Sequence, residues 1–154
     1  MEIVDLLTQD AVVPSLKVTS KKQALQDLAR RAATVTGLHE RAIFDVLIER
    51  ERLGTTGVGN GIAIPHGKLP GLTRLYGLFA RLAEPIPFDA IDDQPVDLIF
   101  LLLAPEGAGA DHLKALARVS RLLRNHATCE KLRKANGAVP IYDILMEAPT
   151  SRAA

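Results

Sequence analysis

Tryptophan is absent from this 154-residue chain and aromatic residues make up only 4% of it. Its core must therefore be built from Leu, Ile, Val and Ala. A single cysteine, Cys129, excludes an internal disulfide and fits a reducing compartment. Neither sign of charge dominates, with 19 basic residues against 18 acidic ones. No global field exists to recruit nucleic acid or an anionic membrane surface. Long apolar runs are also missing: the longest, Leu98 to Ala104, is far too short to span a bilayer, so no membrane insertion is expected. The opening residues Met1-Glu2-Ile3-Val4-Asp5 carry acids where a secretory signal has basic residues. These absences together predict a cytoplasmic globular protein, long enough for a real core.

Several chemistries are excluded by missing spacings. The four histidines, at 39, 66, 112 and 126, include no pair three to five residues apart, and no paired cysteines occur. A zinc site therefore has little support, and no metal is expected. No nucleophile elbow is present for Ser-His-Asp catalysis. A phosphate-cradling P-loop needs four residues between its first Gly and the Gly-Lys pair, and Gly61 is one residue too far from Gly67-Lys68. The dinucleotide fingerprint begins at Gly57 and Gly59 but meets Ile62 at its third glycine position. No nucleotide or other cofactor is implied.

What is present reads as one α/β domain over residues 1–148, with a frayed tail at 149–154. A short extended piece at 11–16 contains Pro14, which cannot donate to a ladder and places it at a sheet edge. Ser20-Lys21-Lys22-Gln23 forms a capping box for a helix carrying Leu25, Leu28, Ala32 and Val35 on one face and ending at Gly37. A second helix spans about 39–53, with Ile43, Val46, Leu47 and Leu53 as its stripe. A strand is expected at 75–82, broken by Glu84-Pro85-Ile86-Pro87, with turn chemistry at Asp92-Asp93-Gln94-Pro95. The near-continuous apolar run from Val96 to Ala104 suits a central strand covered on both faces by helices. Asp111 is the expected cap of a helix reaching Asn125, with Leu113, Leu116, Ser120 and Leu123 inward and Lys114, Arg118 and Arg121 on a solvated face. Short helices around 130–135 and 141–147 complete the chain.

The stretch that carries chemistry runs from Gly54 to Lys68. Gly54 is expected in the left-handed conformation that ends a helix. Glycines 57, 59 and 61 then shape a loop, Ile62-Ala63-Ile64 form a short strand, and Pro65 keeps Ile64 extended. His66 is thus expected exposed at a strand end, with Gly67 leaving space beside it. Arg50 falls on the buried stripe of the preceding helix. Two readings stand: its stem lies on the core with the charge reaching water, or its guanidinium is aimed at an anion near the glycine loop. His112 sits in the first turn of its helix, where backbone N–H groups and the dipole favour anions, or it is merely a histidine near a cap. A neutral imidazole is a nucleophile toward phosphorus, and phosphoryl transfer needs mainly positioning and charge stabilisation. His66, Arg50 and His112 together would supply those parts.

Gly57-Val58-Gly59-Asn60-Gly61-Ile62-Ala63-Ile64-Pro65-His66-Gly67-Lys68 resembles the active-site motif of the fructose/mannitol-type EIIA domains of the bacterial phosphoenolpyruvate phosphotransferase system. The stretch from Phe88 to Leu98 and Asp111-His112-Leu113 are similar to the same family, and the likeness covers nearly the whole chain. Among its members the chain is most similar to the stand-alone, nitrogen-related EIIA. The resemblance implies a mixed β-sheet sandwiched between α-helices, and a phosphotransferase component with a phosphohistidine intermediate. It implies His66 as the phosphoryl acceptor from an HPr-like phosphocarrier, with Arg50 and His112 around the phosphate. In nitrogen-related members the phosphorylation state is a signal to regulatory protein targets, among them potassium-transport and stress-response systems. The alternatives are a sugar-specific EIIA that passes the group to an EIIB, and a binding module that is not phosphorylated. Asp93 departs from the small or amide residue usual in its turn. A carrier that brings phosphate to His66 needs exposed apolar residues on the rim, and Leu69 and Leu72 are the candidates.

Overall fold

In the computed structural model, which describes residues 1–147, the apolar run becomes the axis of a six-stranded mixed sheet. Strand β6 (Val96–Pro105) pairs antiparallel with β5 (Tyr76–Ile86) and, on its other side, parallel with β3 (Ile62–Ala63) and β4 (His66–Leu69). The short β2 (Gly57–Gly59) joins β3 antiparallel, and β1 (Val12–Leu16) adds parallel to the outer side of β5. Pro14 therefore lies on an edge strand, as its missing N–H requires. The expected tail at 149–154 falls outside the described residues.

Both faces of β6 are buried from Leu98 to Ala104, so helices must cover the sheet on each side. Helices α1 (Lys21–Thr36) and α2 (Glu40–Leu53) pack on one another and against β5 and β4. The run of α3 (Ala110–Arg124), α4 (His126–Lys134) and α5 (Ala138–Glu147) lies against β6 and β1. Alternation along β5 separates the two groups. Tyr76 and Leu78 face α1, whereas Arg81, of opposite parity, donates to the carbonyls of Leu132 and Ala135 at the end of α4 at 2.9 and 2.7 Å.

Caps explain several boundaries. Ser20 accepts from the Gln23 N–H at 3.1 Å, and Gly37, at φ 78°, ends α1 in the left-handed conformation. Gly54 does not do the same for α2: at φ 155° and ψ 149° it lies outside the left-handed helical region, though its N–H still donates to the Glu51 carbonyl at 3.1 Å. Gly109, not Asp111, is the N-cap residue of α3, and it makes no side-chain cap bond.

Other expectations shift for identifiable reasons. Pro85 does not end β5, because the strand crosses a pairing irregularity between Arg81 and Ile86 where no N–H is demanded of the proline. Val35 and Leu53, placed on buried stripes by periodicity, are exposed at the last turns of their helices. The buried face of α3 is His112, Ala115, Val119, Leu122 and Leu123; of the expected stripe Leu123 is buried, Leu116 and Ser120 are half-buried, and the face is turned away from Leu113. Small residues at 115 and 119 let the helix approach β6, and Leu113 is left 69% exposed. Arg118 is not on a solvated face but is largely covered, pairing with Glu2.

Among the glycines, Gly67 has the least room for a side chain. A Cβ there would stand 2.3 Å from Cγ1 of Val46 on α2, so the space beside His66 is filled rather than open. Valine is stiff at χ1 and cannot swing clear. Gly67→Ala should cost about 1–3 kcal/mol of stability, read as a lowered midpoint in urea unfolding. Combining it with Val46→Ala should recover part of that loss, and strictly additive losses would show that the contact is not the cause.

Candidate functional site

Strands β3 and β4 lie end to end along β6 in one register, with Ile62 opposite Leu98, Ala63 opposite Ile99 and His66 opposite Leu102. Pro65 stands in the gap, and its carbonyl still accepts the Leu102 N–H at 3.0 Å. His66 is thus the first residue of a strand, not a residue beyond the end of one. Alternation turns it toward the face covered by α3 and turns Gly67 toward α2.

The glycine stretch before it is a hairpin. Asn60 at φ 58° and Gly61 at φ 81° supply the two left-handed residues of a tight turn between β2 and β3. Asp92 accepts the Asn60 N–H at 3.0 Å, and Arg133, paired to Asp97 through two bonds of 2.8 and 2.9 Å, donates to the Asn60 carbonyl at 2.8 Å. Asn-Gly is the strongest short hairpin signal in a sequence, and reading the stretch only for its glycines misses it.

Two hydrogen bonds set the state of His66. Its Nδ1 lies 2.8 Å from the Ile64 carbonyl, which can only accept, so Nδ1 carries the proton. Its Nε2 accepts from Arg50 Nε–H at 3.3 Å, so Nε2 presents the lone pair. A second guanidinium nitrogen, Nη1, donates to the Gly54 carbonyl at 2.9 Å. Arg50 therefore reaches the histidine and does not merely lay its stem on the core. Burial and the Arg50 charge hold the His66 pKa below its ordinary 6.5, against the Ile64 bond and the charge of Glu51, which raise it.

His112 closes the other side. Its ring centroid is 5.6 Å from that of His66, edge to face at 71°, and the residue is only 7% exposed. Its Nε2 is buried without a hydrogen-bond partner. Burial, then the neighbouring charges of His66 and Lys68, lower its pKa as well. The backbone anion site expected at this helix start does not exist in that form. The N–H groups of Asp111, His112 and Leu113 are taken by the carbonyls of Ala108 and Gly109. What His112 offers an anion is its unpartnered imidazole nitrogen.

His39 serves as the N-cap of α2 and His126 begins α4, so neither joins this pair. Leu69 and Leu72, expected on an exposed rim, are buried. Leu69 follows the inward parity of β4, and Leu72 belongs to the core beneath the following turn. Sequence reasoning also missed Glu51, whose buried carboxylate accepts from the N–H and hydroxyl of Thr56 and pairs with Lys21 at 2.8 Å. Its one signal was an acid in the last turn of a helix, where the dipole disfavours it. Among the described residues no group of three or more His, Cys, Asp or Glu side chains could hold a metal ion, and no helix is long and apolar enough to cross a membrane.

A family model described as the phosphoenolpyruvate-dependent sugar phosphotransferase system, EIIA 2, matches residues 5–148. A nitrogen regulatory protein of Bradyrhizobium diazoefficiens is 61% identical over 153 residues, covering 99% of this chain and all of that one. The crystal structure of the nitrogen regulatory protein IIA-Ntr from Neisseria meningitidis superimposes with a TM-score of 0.88 at 36% identity, covering 93% of this chain and 98% of the other. The mannitol IIA of Escherichia coli shares the fold at a TM-score of 0.75 and 18% identity, over 90% and 97% of the two chains.

Both site histidines should titrate below 6.5 in an NMR pH series. Because each binds its proton less readily folded than unfolded, the stability that this neutrality contributes is fully present above pH 6.5 and is lost as pH falls through the depressed values. Replacing His66 by Ala should raise the His112 value, since a neighbouring charge is removed. An unchanged His112 titration would break the coupling.

Proposed function

The chain belongs to the EIIA 2 family of the phosphoenolpyruvate-dependent sugar phosphotransferase system, and we propose on that basis that it is a phosphoryl carrier whose acceptor atom is Nε2 of His66. The donor is an HPr-like phosphocarrier. In the transfer, the Nε2 lone pair attacks phosphorus as the bond from phosphorus to the carrier's imidazole nitrogen breaks. Nδ1 keeps its proton throughout, held by Ile64. The observation that carries the reading is the pair of bonds on the ring, which fixes one tautomer and directs the free lone pair at Arg50. Arg50 must release Nε2 for the attack, and its N–H groups are then positioned for the phosphoryl oxygens. The unpartnered Nε2 of His112 supplies a further contact when protonated. The output is regulatory, in keeping with the nitrogen-regulatory name of the 61% identical relative. Phosphorylated and unmodified forms bind protein targets differently.

The carrier's docking rim must be apolar and exposed. Leu53 is 82% exposed one turn beyond Arg50 on α2, and Leu113 is 69% exposed next to His112. They take the role that the buried Leu69 and Leu72 cannot.

Incubation with phosphoenolpyruvate, enzyme I and the carrier should add one phosphoryl group by intact mass. That group should be lost in acid and kept in mild base. His66→Ala should abolish the addition, and persistent labelling would move the acceptor elsewhere. A charge-assisted hydrogen bond is worth roughly 1.5–3 kcal/mol, so Arg50→Ala should slow phosphorylation by roughly ten- to a hundredfold. Arg50→Lys should recover little, because an ammonium lacks the planar fork. Leu53→Asp and Leu113→Asp should raise KM for the carrier while leaving kcat nearly unchanged. A fall in kcat alone would count against the rim.

A further inference from the structure

We propose that Glu51 is a positioning residue for His66, setting the tautomer and aim of the imidazole through Thr56 and Ile64. The inference rests on the reading of His66 as phosphoryl acceptor and adds a residue to its machinery. Glu51 lies in the last turn of α2, directly after Arg50, and its side chain is only 5% exposed. A carboxylate there opposes the helix dipole and is withdrawn from water, two unfavourable terms. Its bonds account for its retention. Thr56 N–H donates to it at 3.1 Å, the Thr56 hydroxyl donates to it as well, and Lys21 Nζ stands at 2.8 Å.

Thr56 is itself buried, and it passes the constraint on. Its carbonyl accepts the Ile64 N–H at 3.0 Å, across the hairpin. The Ile64 carbonyl is the group that holds His66 Nδ1–H at 2.8 Å. Three consecutive hydrogen-bonded links therefore connect the buried carboxylate to the ring nitrogen opposite the attacking one. Without the clasp on Thr56, the Ile64 carbonyl gains freedom to turn, and the proton is no longer confined to Nδ1. A ring with its proton on Nε2 has no lone pair to offer there. Arg50 and Glu51, neighbours in sequence, thus act on opposite nitrogens of one imidazole: Arg50 directly, Glu51 through two residues.

The test uses the intact, unphosphorylated protein for one readout and carrier-dependent phosphorylation for the other. Long-range proton–nitrogen NMR of His66 should show a single Nδ1–H tautomer in the unaltered protein. Glu51→Ala should give a mixture of tautomers and lower kcat about tenfold or more, with KM for the carrier unchanged within about twofold. Glu51→Gln keeps an oxygen for the Thr56 N–H and should restore most of both properties, which a purely charge-based role would not allow. Thr56→Val, which removes only the hydroxyl, should shift both readouts in the direction of Glu51→Ala, and it carries the test if that variant does not fold. A single Nδ1–H tautomer and an unaltered kcat in the folded variants would overturn the proposal. Failure of the unaltered protein to take up phosphate would instead sink the acceptor reading, while the tautomer measurement would still decide the role of Glu51.

Discussion

The parallel pairing of residues 62–69 with β6 is the constraint from which the site follows. β6 is buried on both faces, so its neighbours must satisfy its backbone on both sides. On one side the long β5 does this alone. On the other, two short strands share the task, and Pro65 sits where they meet. That arrangement holds His66 in a fixed register at the sheet's margin, close enough for α2 to reach it from one side and α3 from the other. A histidine carried on a free loop would have neither neighbour.

Within that frame the direction of two hydrogen bonds decides the chemistry. A carbonyl on Nδ1 and a guanidinium on Nε2 agree on a single protonation pattern, neutral and with the lone pair outward. Burial favours the same neutral form, so the lone pair on Nε2 is present without loss of a proton. The pair of imidazoles at 5.6 Å reinforces this, because two cations so close and so dry would repel.

Much of this was legible in the residues, and the failures are instructive. The apolar run at 96–104, the Ser20 cap and the edge proline at 14 each announced an element by a local rule that nothing in the tertiary structure opposes, although the Gln23 side chain closes on Thr19 and not on Ser20. His66, Arg50 and His112 were named because motif and helix phase pointed the same way, and all three lie together. The stripe on α3 was misread because leucines outweighed the smaller Ala115 and Val119, whose value lies in how closely they let a helix approach a sheet. Leu69 and Leu72 looked like a rim because they follow the motif, but strand parity and the core claimed them. Glu51 was passed over because its worth depends on where Thr56 lies, and no sequence spacing encodes a bond between a helix end and a hairpin.

Arg50 makes no ion pair with a carboxylate among the described residues; its partners are a neutral imidazole and a backbone carbonyl. The unmodified site therefore presents a guanidinium with no direct carboxylate partner beside the His66 ring. A phosphoryl group on His66 would bring roughly −1.5 to −2 charges to the same place. Approaching proteins would then meet a field shifted strongly toward negative. Such a shift is felt over about 8 Å at physiological ionic strength, beyond the few atoms in contact. On the proposed carrier reading, one surface would offer partners opposite charge preferences before and after transfer, with no movement of the backbone required.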